Sequence, residues 1–297
     1  MSAISEFLLK KDINAALTAF GCVMLTFVGI PGEVLAAVII ALCTMMKGYK
    51  SGAVVLAFVA LPGVAFLLHK EVSPFDIVFV QCIGVWLLAG LHQKLKSWRL
   101  IFEVMALGGV LLLALFHLFV PDTAQFWITM MTKLMTELNT NLSANLNVNE
   151  IVTTLRPLAP YMTGLLLFSV SSLIFIELLL ARRWQLRLTD RPGAFRQEFV
   201  SIHMGYVGAA CLSLVLVGVY LQLPLARDCI FVFILPFMMS GLSYLHFLLK
   251  RYRPMIYLMI ALYIGLFISV ISIKIVLLLA LIGYVDSFCD FRKRFAL

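Results

Sequence analysis

Six side chains that can ionise or form strong hydrogen bonds fall inside long apolar runs, so they are the first candidates for chemistry. A polar or charged group in such a run is costly unless it has a partner or a function. Glu177, in "SSLIFIELLLA", fits a structural ion pair or a ligand for a substrate or proton. Lys274 fits either the turn of a hairpin or a partner for a carboxylate. The full set of intramembrane candidates is Gln81, Glu103, His117, Glu177, His246 and Lys274.

The motifs of known catalytic chemistry are missing from the sequence. It contains no Ser-His-Asp set, paired-carboxylate motif, H-E-x-x-H or nucleotide-binding loop. The six cysteines are scattered, with no C-x-x-C pair and no histidine at ligand spacing. A lone histidine such as His117 fits a hydrogen-bonded packing residue or a ligand. We therefore predict that the protein is not an enzyme and binds no metal or cofactor.

The composition predicts which secondary-structure elements carry the six candidate side chains. Of the 297 residues, 63% are hydrophobic and 13% charged, with a mean hydropathy of +1.04. Soluble domains have about 45–50% apolar and about 25% charged residues. The apolar runs are continuous, so we predict an all-α, polytopic transmembrane helical bundle forming one integral membrane domain, 1–297. Membrane insertion also accounts for the net charge of +8, and no nucleic-acid partner is predicted.

The chain is divided into about 8–10 predicted membrane segments. Residues 255–284 form either one strongly tilted span or a two-helix hairpin that turns at 272–274. Charge favours the hairpin: with the N-terminus cytoplasmic, the N-tail and the even-numbered loops carry 15 of the 23 Lys and Arg, and ten segments return the C-terminus to the same side. The other predicted spans are 13–30, 33–47, 51–69, 75–92, 100–120, 159–182, 204–224 and 228–249.

Two connections stand out between the spans. The basic cytoplasmic loop, 183–203, includes most of the stretch "ARRWQLRLTDRPGAFRQEF", residues 181–199. The five arginines of this stretch can bind anionic lipid headgroups. The extracytoplasmic insertion, 121–158, contains an amphipathic helix for which Asp122 or Thr123 is the predicted N-cap. That helix either lies on the outer headgroups or covers the outer mouth of the bundle.

Three stretches resemble the YybS-like family of uncharacterised bacterial membrane proteins, in its gammaproteobacterial branch. They are "LLLARRWQLRLTDRPGAFRQEF", "LPFMMSGLSYLHFLLKR" and "LIGYVDSFCDFRKRF". Arg183 departs from the tryptophan of the family's loop. The resemblance implies a multi-pass protein of the bacterial inner membrane, with a fold similar to the substrate-binding subunits of energy-coupling-factor importers. It implies a cytoplasmic surface that either clamps the loop to the C-terminal tail or docks a partner, formed by Arg182, Trp184, Gln185, Arg196, Glu198, Asp286, Asp290 and Arg292.

Two functions follow from these patterns. A small-solute binding or transport subunit requires a sizeable pocket lined by Gln81, Glu103, His117 or Glu177. A non-transporting scaffold, which binds anionic lipids or a protein partner through the basic loop, requires a close-packed interior instead. The bilayer is a partner in both, and the sequence does not identify a small-molecule ligand.

Overall fold

The computed structural model describes residues 3–68, 75–142, 147–191, 193–251, 254–266, 268–289 and 291–292. About 90% of the structure is helical, and the described residues form no strand. Short 3-10 turns cover Thr26–Val28 and Arg156–Tyr161. The α-helices of these ranges are α1 (Ala3–Lys10), α2 (Asp12–Leu25), α3 (Gly32–Lys47), α4 (Tyr49–Leu68), α5 (Phe75–Leu95), α6 (Trp98–Phe119), α7 (Thr123–Leu142), α8 (Val148–Leu155), α9 (Met162–Leu188), α10 (Ala194–Val200), α11 (Tyr206–Tyr220), α12 (Pro224–Arg251), α13 (Met255–Leu266) and α14 (Ser269–Cys289).

Five of the described stretches are long and apolar enough to cross a membrane. They are Val78–Leu95, Trp98–Phe119, Val148–Leu188, Pro224–Leu249 and Ile271–Cys289. Spanning the hydrocarbon core takes about 20 apolar residues, so these helices confirm the predicted helical class and indicate a membrane protein. The shorter apolar helices are Asp12–Leu25, Tyr49–Pro62, Tyr206–Tyr220 and Met255–Leu266.

The last apolar run contains a helix break, but at a different place from the predicted one. Helix α13 ends at Leu266 and α14 begins at Ser269. The predicted turn at 272–274 is wrong, because Lys274 lies within α14 with an exposed side chain. A turn instead forms where the Ile268 amide donates to the Gly265 carbonyl. Gly265 also allows Ile275 to pack where a larger side chain would overlap with it.

The helices form two compact units, whose boundaries fall inside α6 and α9. Unit 1 comprises Met1–Ile101 and Val170–Ile202, and unit 2 comprises Phe102–Ser169 and His203–Leu297. In unit 1, small side chains line the facing surfaces of α2 and α3 and allow close helix packing. The fully buried alanines of these two helices are Ala15, Ala16, Ala19, Ala36, Ala37 and Ala41.

Unit 2 is organised around the crossing of α12 and α14. Gly241 of α12 faces Gly283 of α14, and a Cβ atom on either one would overlap with backbone atoms of the other helix. Such backbone contact requires small residues at the crossing. On α11, the Ser213 hydroxyl lies 2.7 Å from the Tyr284 hydroxyl of α14.

Helix α7 is the amphipathic helix that the sequence predicts. Its N-cap is Asp122, whose Oδ1 accepts a hydrogen bond from the Gln125 amide at 2.9 Å. Trp127 donates its indole N–H to Thr163 Oγ1 at 2.8 Å, and Met131 is buried. The same apolar face continues into an exposed stripe of Phe126, Met130, Leu134 and Leu138.

Candidate functional site

The end of α9 is fixed to α10 by a forked ion pair. Arg182 donates from Nε to Glu198 Oε2 at 3.0 Å and from Nη2 to Oε1 at 2.5 Å. Its Nη1 donates to Gln185 Oε1 at 2.6 Å. A planar guanidinium binds a carboxylate best in this bidentate geometry. Arg182 and Glu198, predicted as surface residues, therefore form a structural pair within unit 1.

The two residues after Arg183 bind other helices of the same unit. Gln185 donates from Nε2 to the Met45 carbonyl at 2.9 Å, which satisfies an acceptor in the last turn of α3. Trp184 donates its indole N–H to Ser5 Oγ of α1 at 3.0 Å. The Arg-x-Trp-Gln pattern therefore ties the end of α9 to α1, α3 and α10.

The environment of Glu198 favours its charged form. Burial by itself raises the pKa of Glu198, but the hydrogen bonds and charge of Arg182 act in the opposite direction and prevail, aided by a hydrogen bond with Trp98. The pKa of Glu198 is therefore lowered from its ordinary value. His92, buried with its ring centroid 4.5 Å from that of Trp98, borders this cluster. His92 is not among the residues predicted from the sequence; its position near a helix end, six residues before Trp98, is the available signal.

The four arginines of the basic loop are exposed. Within the described part of the chain, none of their side chains makes a hydrogen bond or an ion pair. Arg183 and Arg187, four residues apart on α9, share one face of the helix. The set is Arg183, Arg187, Arg191 and Arg196.

Several helix ends rich in lysine lie at the same end of unit 1. Lys47 at the end of α3 binds Asp12 at the start of α2, with Nζ 2.7 Å from Oδ1. Lys94 at the end of α5 lies over the ring of Tyr49 at the start of α4, 5.1 Å from its centroid. Together with the bonds of Trp184 and Gln185, these contacts bring four basic segments together. We call the exposed cations here the basic end: Lys10, Lys11, Lys50, Lys94, Lys96, Arg183, Arg187, Arg191 and Arg196.

Two of the predicted intramembrane residues bind each other inside unit 1. Gln81 of α5 donates from Nε2 to Glu177 Oε1 of α9 at 2.5 Å. Both side chains are buried, and Glu177 is fully inaccessible. Close helix packing surrounds them, since a side chain at Gly84 would overlap with Ile174.

His117 has a buried acidic partner that the sequence analysis missed. Its Nε2 lies 2.8 Å from Asp228 Oδ2, and the Gly164 amide donates to Asp228 Oδ1 at 2.8 Å. Asp228 is fully buried in unit 2. The available signal is a carboxylate at the start of the apolar run "DCIFVFIL". Because Asp228 holds His117 between helix ends, the pair fits a packing role.

The remaining candidates lie in unit 2 and include a polar cluster at the C-terminal part of the chain. Arg292 donates from Nε to Asp286 Oδ2 at 3.0 Å and from Nη1 to Ser243 Oγ at 3.2 Å. His246 lies on α12, with Nδ1 2.9 Å from the Leu242 carbonyl. Glu103 is half-buried on α6. Asp290 lies outside the described residues.

None of the six predicted intramembrane residues lines either of the two clefts described next. One of about 350 Å³ is lined by Tyr161, Val219, Gln222, Arg227, Ile230 and Phe231. A second, of about 460 Å³, follows the junction of α6 and α7. The described residues contain no group of three or more His, Cys, Asp or Glu side chains that could hold a metal ion.

Comparison with protein-family models, curated proteins and solved structures finds no match to this chain.

Proposed function

We propose that the protein is a non-transporting membrane scaffold whose basic end binds anionic lipid headgroups. The observation that carries this proposal is the group of four exposed arginines without acidic partners in the described chain, at the same end as five exposed lysines. Basic clusters next to a membrane attract anionic headgroups, and each Lys or Arg contributes about 1 kcal/mol near the surface. A protein partner with an acidic surface is the alternative occupant.

The interior of unit 1 also favours a scaffold over a transporter. Gln81 and Glu177 bind each other rather than lining a described cleft. Gly52 packs so closely on Thr44 and Trp86 that a Cβ atom would overlap with both. A close-packed interior of this kind is what the scaffold hypothesis requires.

In the proposed topology, ten segments cross the inner membrane of a bacterium. Both termini lie in the cytoplasm. The basic end supports a topology in which its four basic segments lie on the same side of the membrane. The positive-inside rule assigns that side to the cytoplasm. The resemblance to the YybS-like family supports the bacterial inner membrane. Residues 121–158 then lie on the opposite, extracytoplasmic side.

Removal of the four arginines tests the lipid-binding proposal. We expect the combined variant Arg183→Gln, Arg187→Gln, Arg191→Gln and Arg196→Gln to bind phosphatidylglycerol on the order of a thousandfold more weakly, because four cations that contribute about 1 kcal/mol each are lost. Native mass spectrometry of the purified protein, titrated with phosphatidylglycerol and with phosphatidylcholine, measures the change. The difference between the two lipids is expected to shrink as salt is raised, because the exposed charges are screened.

Two controls make this experiment specific. Replacing the same four arginines with lysine keeps the charge and is expected to preserve most of the binding. The variant Lys133→Gln, Arg156→Gln and Lys274→Gln removes cations elsewhere and is expected to leave binding unchanged. Equal losses in the two glutamine variants would contradict a localised site, and an acidic protein that replaces the lipid would favour protein docking.

Cysteine labelling in intact cells tests the sidedness. In a background without the six native cysteines, we expect a membrane-impermeant maleimide to label Thr136→Cys but not Lys50→Cys or Arg187→Cys, because the latter two face the cytoplasm. Permeabilised cells provide the control, in which all three positions must react. Labelling of Lys50→Cys and Arg187→Cys in intact cells would contradict the proposed topology, because the basic end would then face the outside of the cell.

A small-solute binding or transport subunit is the second candidate, and Glu177 favours it. A fully buried carboxyl group in a membrane segment is a functional-site hypothesis in its own right. A small molecule that purifies with the protein in stoichiometric amount and is lost in Glu177→Gln would replace the scaffold proposal. The fold that the resemblance to the YybS-like family implies, similar to that of energy-coupling-factor substrate-binding subunits, is the other argument for this candidate.

A further inference from the structure

Glu177 has one carboxylate oxygen that the described structure leaves without a partner. The side chain is 0% exposed, within the apolar stretch Val148–Leu188. Gln81 Nε2 donates to Oε1 at 2.5 Å. The other oxygen, Oε2, is buried and accepts no hydrogen bond from the described residues. Buried polar atoms in folded proteins almost always have a partner, so Oε2 is an exception that requires an explanation.

No cationic side chain of the described residues lies within ion-pair distance of Glu177. Arg182, five residues later on α9, binds Glu198 and Gln185 instead. The titratable groups within electrostatic range are Glu33 on α3 and Cys82 on α5, neither of which supplies a positive charge. An isolated carboxylate in a low-dielectric interior is strongly unfavourable. The site therefore needs a cation at Oε2.

The geometry favours the smallest cation. A metal ion bound by oxygen atoms needs several ligands, and the described residues provide no group of three or more His, Cys, Asp or Glu side chains. A proton, in contrast, needs only one oxygen atom as its binding partner. Its binding forms the Oε2–H bond and neutralises the carboxylate without any other change in covalent structure.

We propose that Glu177 is a proton-binding site in the membrane part of unit 1, with Gln81 as the positioning residue that holds Oε1. This inference goes beyond the scaffold function and does not depend on lipid binding. An exchangeable proton in a membrane segment is a feature of proton relays. The site gives the protein a group that can take up and release a proton within the membrane, and so respond to pH.

Infrared spectroscopy of the full chain in lipid nanodiscs tests the proposal directly. The spectrum of the wild type minus that of Glu177→Gln is expected to contain the carbonyl stretching band of a protonated carboxylic acid at neutral pH. Gln81→Leu is expected to shift that band, because the hydrogen bond to Oε1 is lost. Glu103→Gln is the control, and it is expected to leave the Glu177 band unchanged.

Chemical labelling gives a second readout that needs no variant to fold. Dicyclohexylcarbodiimide reacts with protonated carboxyl groups in apolar surroundings, and peptide mapping of the treated wild type is expected to find its adduct on Glu177. Carboxylate bands in place of the acid band at neutral pH would overturn the proposal. So would suppression of the acid band and the adduct by sodium chloride but not by choline chloride, because a metal cation would then occupy the site.

Discussion

Gly241→Ala is expected to destabilise the protein by about 2–3 kcal/mol, the cost of overpacking a close contact. The added Cβ would overlap with the Leu279 carbonyl oxygen of α14 and approach the Gly283 amide. These are backbone atoms, so relief requires the two helices to separate rather than one side chain to rotate. A lower thermal unfolding midpoint in detergent, followed by the loss of the monodisperse chromatographic peak, measures the effect.

Gly108→Ala is the matched control for this prediction. Gly108 is also a helical glycine of unit 2, on α6, and a Cβ atom there would meet no atom within 4 Å. Alanine has a higher helix propensity than glycine, so this variant is expected to be as stable as the wild type or more so. Equal stability of Gly241→Ala and Gly108→Ala would show that α12 and α14 do not meet at Gly241.

Arg182→Gln is expected to have the second large effect, a loss of about 2–3 kcal/mol. The substitution leaves the partly buried Glu198 carboxylate without its bidentate partner, and breaking a fully buried pair costs about 3–5 kcal/mol. The side chains of Arg182 and Glu198 are 17% and 28% exposed, so solvent reduces the cost. Thermal unfolding at neutral pH measures it. Arg183→Gln is the control, because the neighbouring Arg183 side chain is exposed and has no partner in the described chain.

The same pair predicts how stability depends on pH. The pKa of Glu198 is lowered in the folded protein, so its contribution is fully present above the unfolded-state pKa, about 4.3 for glutamate. The contribution is lost as the pH falls through the lowered pKa of the folded state. The difference in unfolding midpoint between wild type and Glu198→Gln is therefore expected to narrow below about pH 4. A difference that stays constant into this acidic range would contradict the charge-based role.

The sequence by itself determined the class of the protein and most of its helices. Excess apolar surface, continuous hydrophobic runs and punctuation by Pro31, Gly32 and Gly48 specify helices whose bounds lie close to the predicted ones. These signals are local, since hydropathy and helix-ending residues act within one or two turns. The N-cap at Asp122 was predictable for the same reason.

Only the tertiary structure decided which polar residues meet. The sequence cannot show that Gln81 binds Glu177 or that His117 binds Asp228, because these partners are far apart along the chain and pair through helix packing. The sequence also presents the five arginines of the stretch 181–199 as equivalent. Packing divides them into Arg182, which is bound to Glu198, and four that face outward, because only Arg182 is directed from α9 towards α10. The helices follow from local composition, whereas the candidate sites depend on contacts between distant segments.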